Sequence, residues 1–170
     1  MCYVKDPSSQ ANTAQVATSH LHIAVAADFN VKILRGSVVL SLAALEDGVS
    51  EVILDTNHLE VSGAALVQES GHEQPLQYQL GPVHPAFGSA LSVKLPSALA
   101  KGSAFKVRVH YATTTDSGAL QFLAPEQTVG KKHPYLFTQC QAIHARSLVP
   151  CADSPSQKLT YSAEITAPAP

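Results

Sequence analysis

Apolar residues recur at every second position in run after run of this chain, and that period restricts what it can build. Phe105, Val107, Val109 and Tyr111 alternate with Lys106, Arg108 and His110. Successive strand side chains point to opposite faces, so this stretch turns one face to a core and the other to water. Leu21, Ile23, Val25, Ala27 and Phe29 alternate in the same way with His20, His22, Ala24, Ala26 and Asp28. A further run carries Leu34, Val38, Leu40 and Leu42, and Glu46-Asp47-Gly48 after it is a turn signal. Short strands are expected at Val52–Leu54, Leu59–Val67, Leu76–Leu80, Leu91–Leu95, Ala119–Leu123 and Leu159–Ile165, with at most a single helical turn over Ala98–Lys101 after Pro96. No window holds helical periodicity over several turns, so the pattern predicts an all-β domain of many short strands.

With 170 residues, 45% of them hydrophobic and 14% charged, the chain can bury a sizeable core within one domain. Residues 1–17 read as an irregular lead-in, and 18–170 as a single β-domain. A formal net charge of -2 and the lack of a basic run argue against nucleic acid as a main partner. The polar first residues do not form a secretion signal, and no run is apolar and long enough to cross a bilayer. Cys2, Cys140 and Cys151 cannot all pair within one chain, so a reducing, cytoplasmic setting is expected. Tyr161–Ile165 would be the last strand, followed almost at once by Ala-Pro-Ala-Pro. Its unpartnered edge would expose backbone groups, so the domain reads as cut short at its C-terminal end and is expected to associate when made alone.

One stretch escapes the alternation. From Glu126 to Asp153 the chain crowds Lys131, Lys132, His133, Gln139, Cys140, Gln141, His144, Arg146 and Cys151 together, and a segment without an apolar period is free to present side chains outward. The run His133-Pro134-Tyr135-Leu136-Phe137-Thr138-Gln139-Cys140-Gln141-Ala142-Ile143-His144-Ala145-Arg146, continued by Val149-Pro150-Cys151-Ala152-Asp153 and Lys158-Leu159-Thr160-Tyr161, resembles the amino-terminal domain of the leukotriene A(4) hydrolase family of zinc aminopeptidases. Upstream, Ala119–Thr128 fits the same family, and Leu54-Asp55-Thr56 does so more weakly. Aminopeptidase B belongs to the same wider group, which has a catalytic His-Glu-x-x-His helix.

The resemblance implies a saddle-like assembly of mixed β-sheets that packs over a separate catalytic domain holding the zinc. This chain contains no His-Glu-x-x-His and no Gly-x-Met-Glu-Asn loop, so it supplies neither a catalytic residue nor a metal ligand of its own. The implied partners are the catalytic domain of the same polypeptide and a peptide substrate. The implied parent reaction is removal of amino-terminal residues from peptides and, in one branch, hydrolysis of a lipid epoxide. Matched by position, Gln139, Gln141 and Ala142 would reach the substrate cleft. An amide oxygen accepts from an ammonium group without burying another full charge, and a small Ala leaves room for a side chain. From spacing alone, the competing reading is that both amides tie down an irregular loop. The rival for the whole chain is a free-standing β-sandwich interaction module without chemistry.

Other groupings carry less. His20 and His22 share a strand face, where a solvated pair is favoured over a metal site because no third ligand is indicated. Cys140, Cys151, His133 and His144 match no zinc-knuckle spacing and read as buried thiols beside a structural histidine. Ser147, His144 and Asp153 lack a nucleophile elbow. Glu126 and Asp153 could be imagined as an acid–base pair, but Arg146 is the expected partner of Asp153, and Lys131-Lys132 reads as a solvated turn.

Overall fold

The computed structural model describes residues 6–168, which excludes Cys2. The alternating runs become strands in chain order: β1 Val16–Asp28, β2 Ile33–Ala44, β3 Val49–Thr56, β4 Leu59–Val67, β5 Glu73–Pro75, β6 Tyr78–Leu80, β7 Ser89–Leu99, β8 Ala104–Thr113, β9 Leu120–Leu123, β10 Tyr135–Thr138 and β11 Thr160–Thr166. Among the described residues the only helical pieces are 3-10 turns at Pro125–Gln127 and Ala145–Ser147. The domain is all-β, and among the described residues no helix is long and apolar enough to cross a membrane.

Six strands form one mixed sheet in the order β11-β1-β2-β8-β4-β5, with β11 parallel to β1 and the other neighbours antiparallel. A second sheet runs β3-β7-β6, and β9 and β10 form a hairpin. The two larger sheets share one apolar cluster. Val38, Leu40, Val107 and Val109 of the first meet Val52, Leu54, Leu91 and Val93 of the second, all of them buried. Each fully buried Leu or Val contributes on the order of 1.5 to 3 kcal/mol relative to exposure.

Three local expectations need correction. The helical turn expected at Ala98–Lys101 is absent: β7 continues past Pro96 to Leu99, and Lys101-Gly102 form the tight turn into β8. The register of β7 against β3 shifts between Val49 and Glu51, and a proline without an N–H is tolerated at such a break. The central stretch also contains a strand, β10, which pairs with β9 through Tyr135↔Leu123, Leu136↔Phe122, Phe137↔Gln121 and Thr138↔Leu120. Finally, β11 is exposed on both faces instead of half-buried, because it lies at the edge of its sheet beyond the second layer.

Candidate functional site

The hairpin leads directly into the Gln139–His144 loop. Phe122 of β9 packs edge-on against Phe29 with ring centroids 5.6 Å apart, which fastens the hairpin to the end of β1. Gln139 N donates to Ala119 O at 2.9 Å, carrying the hairpin pairing one residue further. The chain then turns, closed by His144 N donating to Cys140 O at 2.9 Å, and the Gln141-Ala142 peptide is cis. Gln139, Gln141 and Ala142 are all exposed. Among the described residues neither glutamine amide has a protein hydrogen-bond partner. The loop is therefore not held by those two side chains, and the reading that they serve as its ties fails.

Directly after the loop lies a buried charge hub. Arg146, in the second 3-10 turn, is fully buried. Its Nε donates to Asp153 Oδ2 at 2.9 Å and its Nη2 to Asp153 O at 3.1 Å. Its Nη1 donates to Ser8 O at 2.8 Å and to Phe87 O at 3.1 Å, and lies 3.8 Å from Asp55 Oδ1. Asp55 itself accepts from Ser9 Oγ and Gln10 N, each at 2.6 Å, and from Asp153 N at 3.0 Å. Asn57 N donates to Arg146 O at 2.9 Å, and Asp55 and Cys151 pair through their backbones. One guanidinium thus joins the lead-in, the end of β3, the segment before β7 and the 145–153 segment. Its planar fork suits several acceptors at once.

The loop before β7 reaches this hub only because position 88 is glycine. Gly88 has φ +70°, and a Cβ there would lie 2.1 Å from Thr56 O, so the backbones touch where Phe87 offers its carbonyl.

The remaining candidates separate. Arg146 pairs with Asp153 as expected, but Asp55 was missed as the third member, because it is far away in the chain and its weak signal was a lone carboxylate at the end of an apolar run. Glu126 is exposed in the first 3-10 turn while Asp153 is buried, so they do not form a matched pair. Ser147 is buried with its Oγ unpartnered and His144 is exposed, which leaves no hydrolytic triad. Cys151 is buried as expected and its thiol is pushed well up, first by burial and then by the nearby Asp153 and Asp55 charges. Cys140 is only partly buried, and its thiol is raised by desolvation and Asp153. The expectation of buried thiols thus holds for Cys151 and not for Cys140, and His133 and His144 are exposed on either side of the outward-facing loop.

His20 and His22 brace β11. His20 Nδ1 lies 2.7 Å from Thr160 Oγ1, His22 Nδ1 lies 2.9 Å from Ser162 Oγ, and His22 Nε2 is 3.6 Å from Glu164. Among the described residues no group of three or more His, Cys, Asp or Glu could hold a metal ion, so the zinc implied by the resemblance does not fit a donor set here. Lys131 and Lys132 are exposed in the loop between β9 and β10.

The β-domain presents its Gln139–His144 loop outward from the β9–β10 hairpin, and comparison with known proteins identifies its family. Residues 17–170 match the Peptidase M1 N-terminal domain model, and the chain belongs to that family. It is 39% identical over 166 residues to leucine aminopeptidase 2 of Phaeosphaeria nodorum, covering 98% of this chain and 26% of that protein. It is 37% identical over 163 residues to leukotriene A-4 hydrolase of Xenopus laevis, covering 96% of this chain and 26% of that one. The solved structure of native yeast LTA4 hydrolase superposes with a TM-score of 0.87 at 33% identity, over 100% of this chain and 26% of the yeast chain. The chain therefore spans about a quarter of the length of these relatives.

Proposed function

We propose that this chain works as the non-catalytic N-terminal domain of a longer zinc aminopeptidase, docking on the catalytic domain and closing one wall of the peptide cleft. The observation that carries this is the Gln139–Ala142 loop: two exposed amides without protein partners, on a segment anchored at one end by the β9–β10 hairpin and at the other by buried Arg146. Preorganised polar groups without internal partners are suited to an external ligand. Tyr135 and Phe137 on the same hairpin are exposed aromatics, and Val129 projects from its loop, which supplies apolar surface for a docked domain.

In this reading Gln141 accepts from the substrate's terminal ammonium, Gln139 supports the pocket, and Ala142 leaves space for the first side chain. Zinc held by the catalytic domain supplies an activated water, and the present residues bind and orient. A reducing, cytoplasmic setting is part of the same proposal, supported by Cys140 and Cys151 being free thiols. The test is Gln141→Ala in the full-length parent enzyme. Losing one charged contact of about 1 to 3 kcal/mol lowers kcat/KM by roughly 5- to 150-fold on peptides with a free amino terminus. Unchanged kinetics would remove Gln141 from the site.

A further inference from the structure

Three consecutive residues in the link between β8 and β9 touch the segment that carries the two amides. Ala119 O accepts from Gln139 N at 2.9 Å where the loop begins. Ser117 Oγ donates to Ser147 O at 2.6 Å just after the loop ends. Between them, Gly118 faces the ring of His144, the residue whose N–H closes the loop onto Cys140 O. A Cβ added at Gly118 would lie 3.0 Å from His144 Nδ1 and 3.3 Å from its Cε1.

The link itself is fastened. Thr114 N donates to His58 O at 3.1 Å and Ser117 N to Thr114 O at 3.2 Å, and Ser117 and Ala119 are buried on either side of exposed Gly118. Gly118 does not have a positive φ, so an L side chain meets no backbone strain there. What position 118 supplies is space, and the His144 imidazole takes it. Ordinary contacts of a Cβ begin near 3.4 Å, so even a methyl group makes the ring give by a few tenths of an ångström, and a longer side chain evicts it.

We propose that Gly118 is a positioning residue for the substrate loop, seating His144 so that the Cys140–His144 turn holds Gln141 in one place. This role rests on Gln141 being the contact to the substrate's terminal ammonium proposed above. Geometry is steep at such a contact: a misplacement of about 1 Å costs on the order of 100-fold in rate. A shift of tenths of an ångström from Gly118→Ala therefore lowers kcat/KM by roughly 2- to 4-fold, and Gly118→Leu, which displaces the ring outright, by about 10-fold or more. Neither change removes a hydrogen bond or buries a polar group, so the fold is kept.

The experiment uses the full-length parent enzyme and a peptide with a free amino terminus. Gly118→Ala, Gly118→Leu, His144→Ala and Gln141→Ala are compared with the doubles that join Gly118→Leu to His144→Ala or to Gln141→Ala, with circular dichroism and zinc content verifying each protein. The expected result is a graded loss from Gly118→Ala to Gly118→Leu, a loss for His144→Ala itself, and little further loss when Gly118→Leu is added to either other change, because all act through one contact. If Gly118→Leu does not fold, Gly118→Ala carries the same double-variant comparison. Wild-type kinetics for the Gly118 variants beside an impaired Gln141→Ala overturn the role of Gly118 and leave the reading of Gln141 standing. The same fold-loss from a Gly118 change in all three backgrounds marks a merely structural effect and overturns it too. A silent Gln141→Ala removes the reading of the loop, and this role with it.

Discussion

Replacing Arg146 with methionine keeps a long apolar stem and removes the guanidinium from the centre of the charge hub. Four hydrogen bonds disappear: two to Asp153, one to Ser8 O and one to Phe87 O. The Asp55 carboxylate, fully buried, and the nearly buried Asp153 carboxylate are left facing one another's surroundings with no cation. Removing one partner of a buried ion pair costs about 3 to 5 kcal/mol, because the orphaned charge remains out of water. That is a large part of the roughly 5 to 15 kcal/mol that holds a domain of this kind folded. At roughly 2 to 4 °C per kcal/mol for this size, the midpoint of thermal unfolding falls by about 6 to 20 °C.

Urea unfolding of the purified chain measures this loss as a lower midpoint at unchanged slope. Arg146→Lys keeps the charge without the planar fork and falls between the wild type and Arg146→Met. Combining Arg146→Met with Asp55→Asn loses less than the sum of the two single changes, since the second removes a charge the first had stranded. A loss under about 1 kcal/mol for Arg146→Met, or strict additivity of the pair, would refute the hub as the tie that secures the segment after the 139–144 loop.

Glu51 has its carboxyl held below the usual 4.5 by hydrogen bonds from Lys94 and Ser92, so it favours the fold fully above pH 4.5, and that contribution is lost as pH falls through the depressed folded value. The stability gap between wild type and Glu51→Gln, followed by urea unfolding against pH, therefore closes on the acid side and persists at neutrality; a gap that widens with acid contradicts the assignment. Burial raises the Cys151 thiol and shields it, so it resists alkylation in the native chain and reacts on unfolding, as read by mass spectrometry of iodoacetamide-treated protein. Cys140, partly buried with a thiol raised less completely, reacts first of the two; the reverse order would count against their placement.

The strands were legible wherever one face is dry and the other wet. The Phe105–Tyr111 alternation became β8, with Val107, Val109 and Tyr111 buried, and the Leu21–Val25 alternation became part of β1. Legibility failed where burial does not alternate. β10 is mostly exposed and carries no period, and β11 alternates in composition while lying beyond the layer that would bury it. The loop at Gln139–Ala142 could be found by resemblance and by its lack of an apolar period, but not the means of its support. Arg146 and Asp153 are near neighbours in the chain, whereas Asp55, Ser8 and Phe87 join them only through folding.

Alternation, turn residues and the 126–153 stretch by themselves determined that this chain is all-β and which family it resembles, because side-chain period and local motif are properties of neighbours in sequence. The tertiary structure alone decided that the two amides have no protein partner among the described residues while a distant carboxylate, a lead-in carbonyl and one arginine tie down the segment that follows them. Burial of a charge and pairing of a strand are settled by which segments meet in space, and that is set by the packing of whole sheets rather than by any local run of residues.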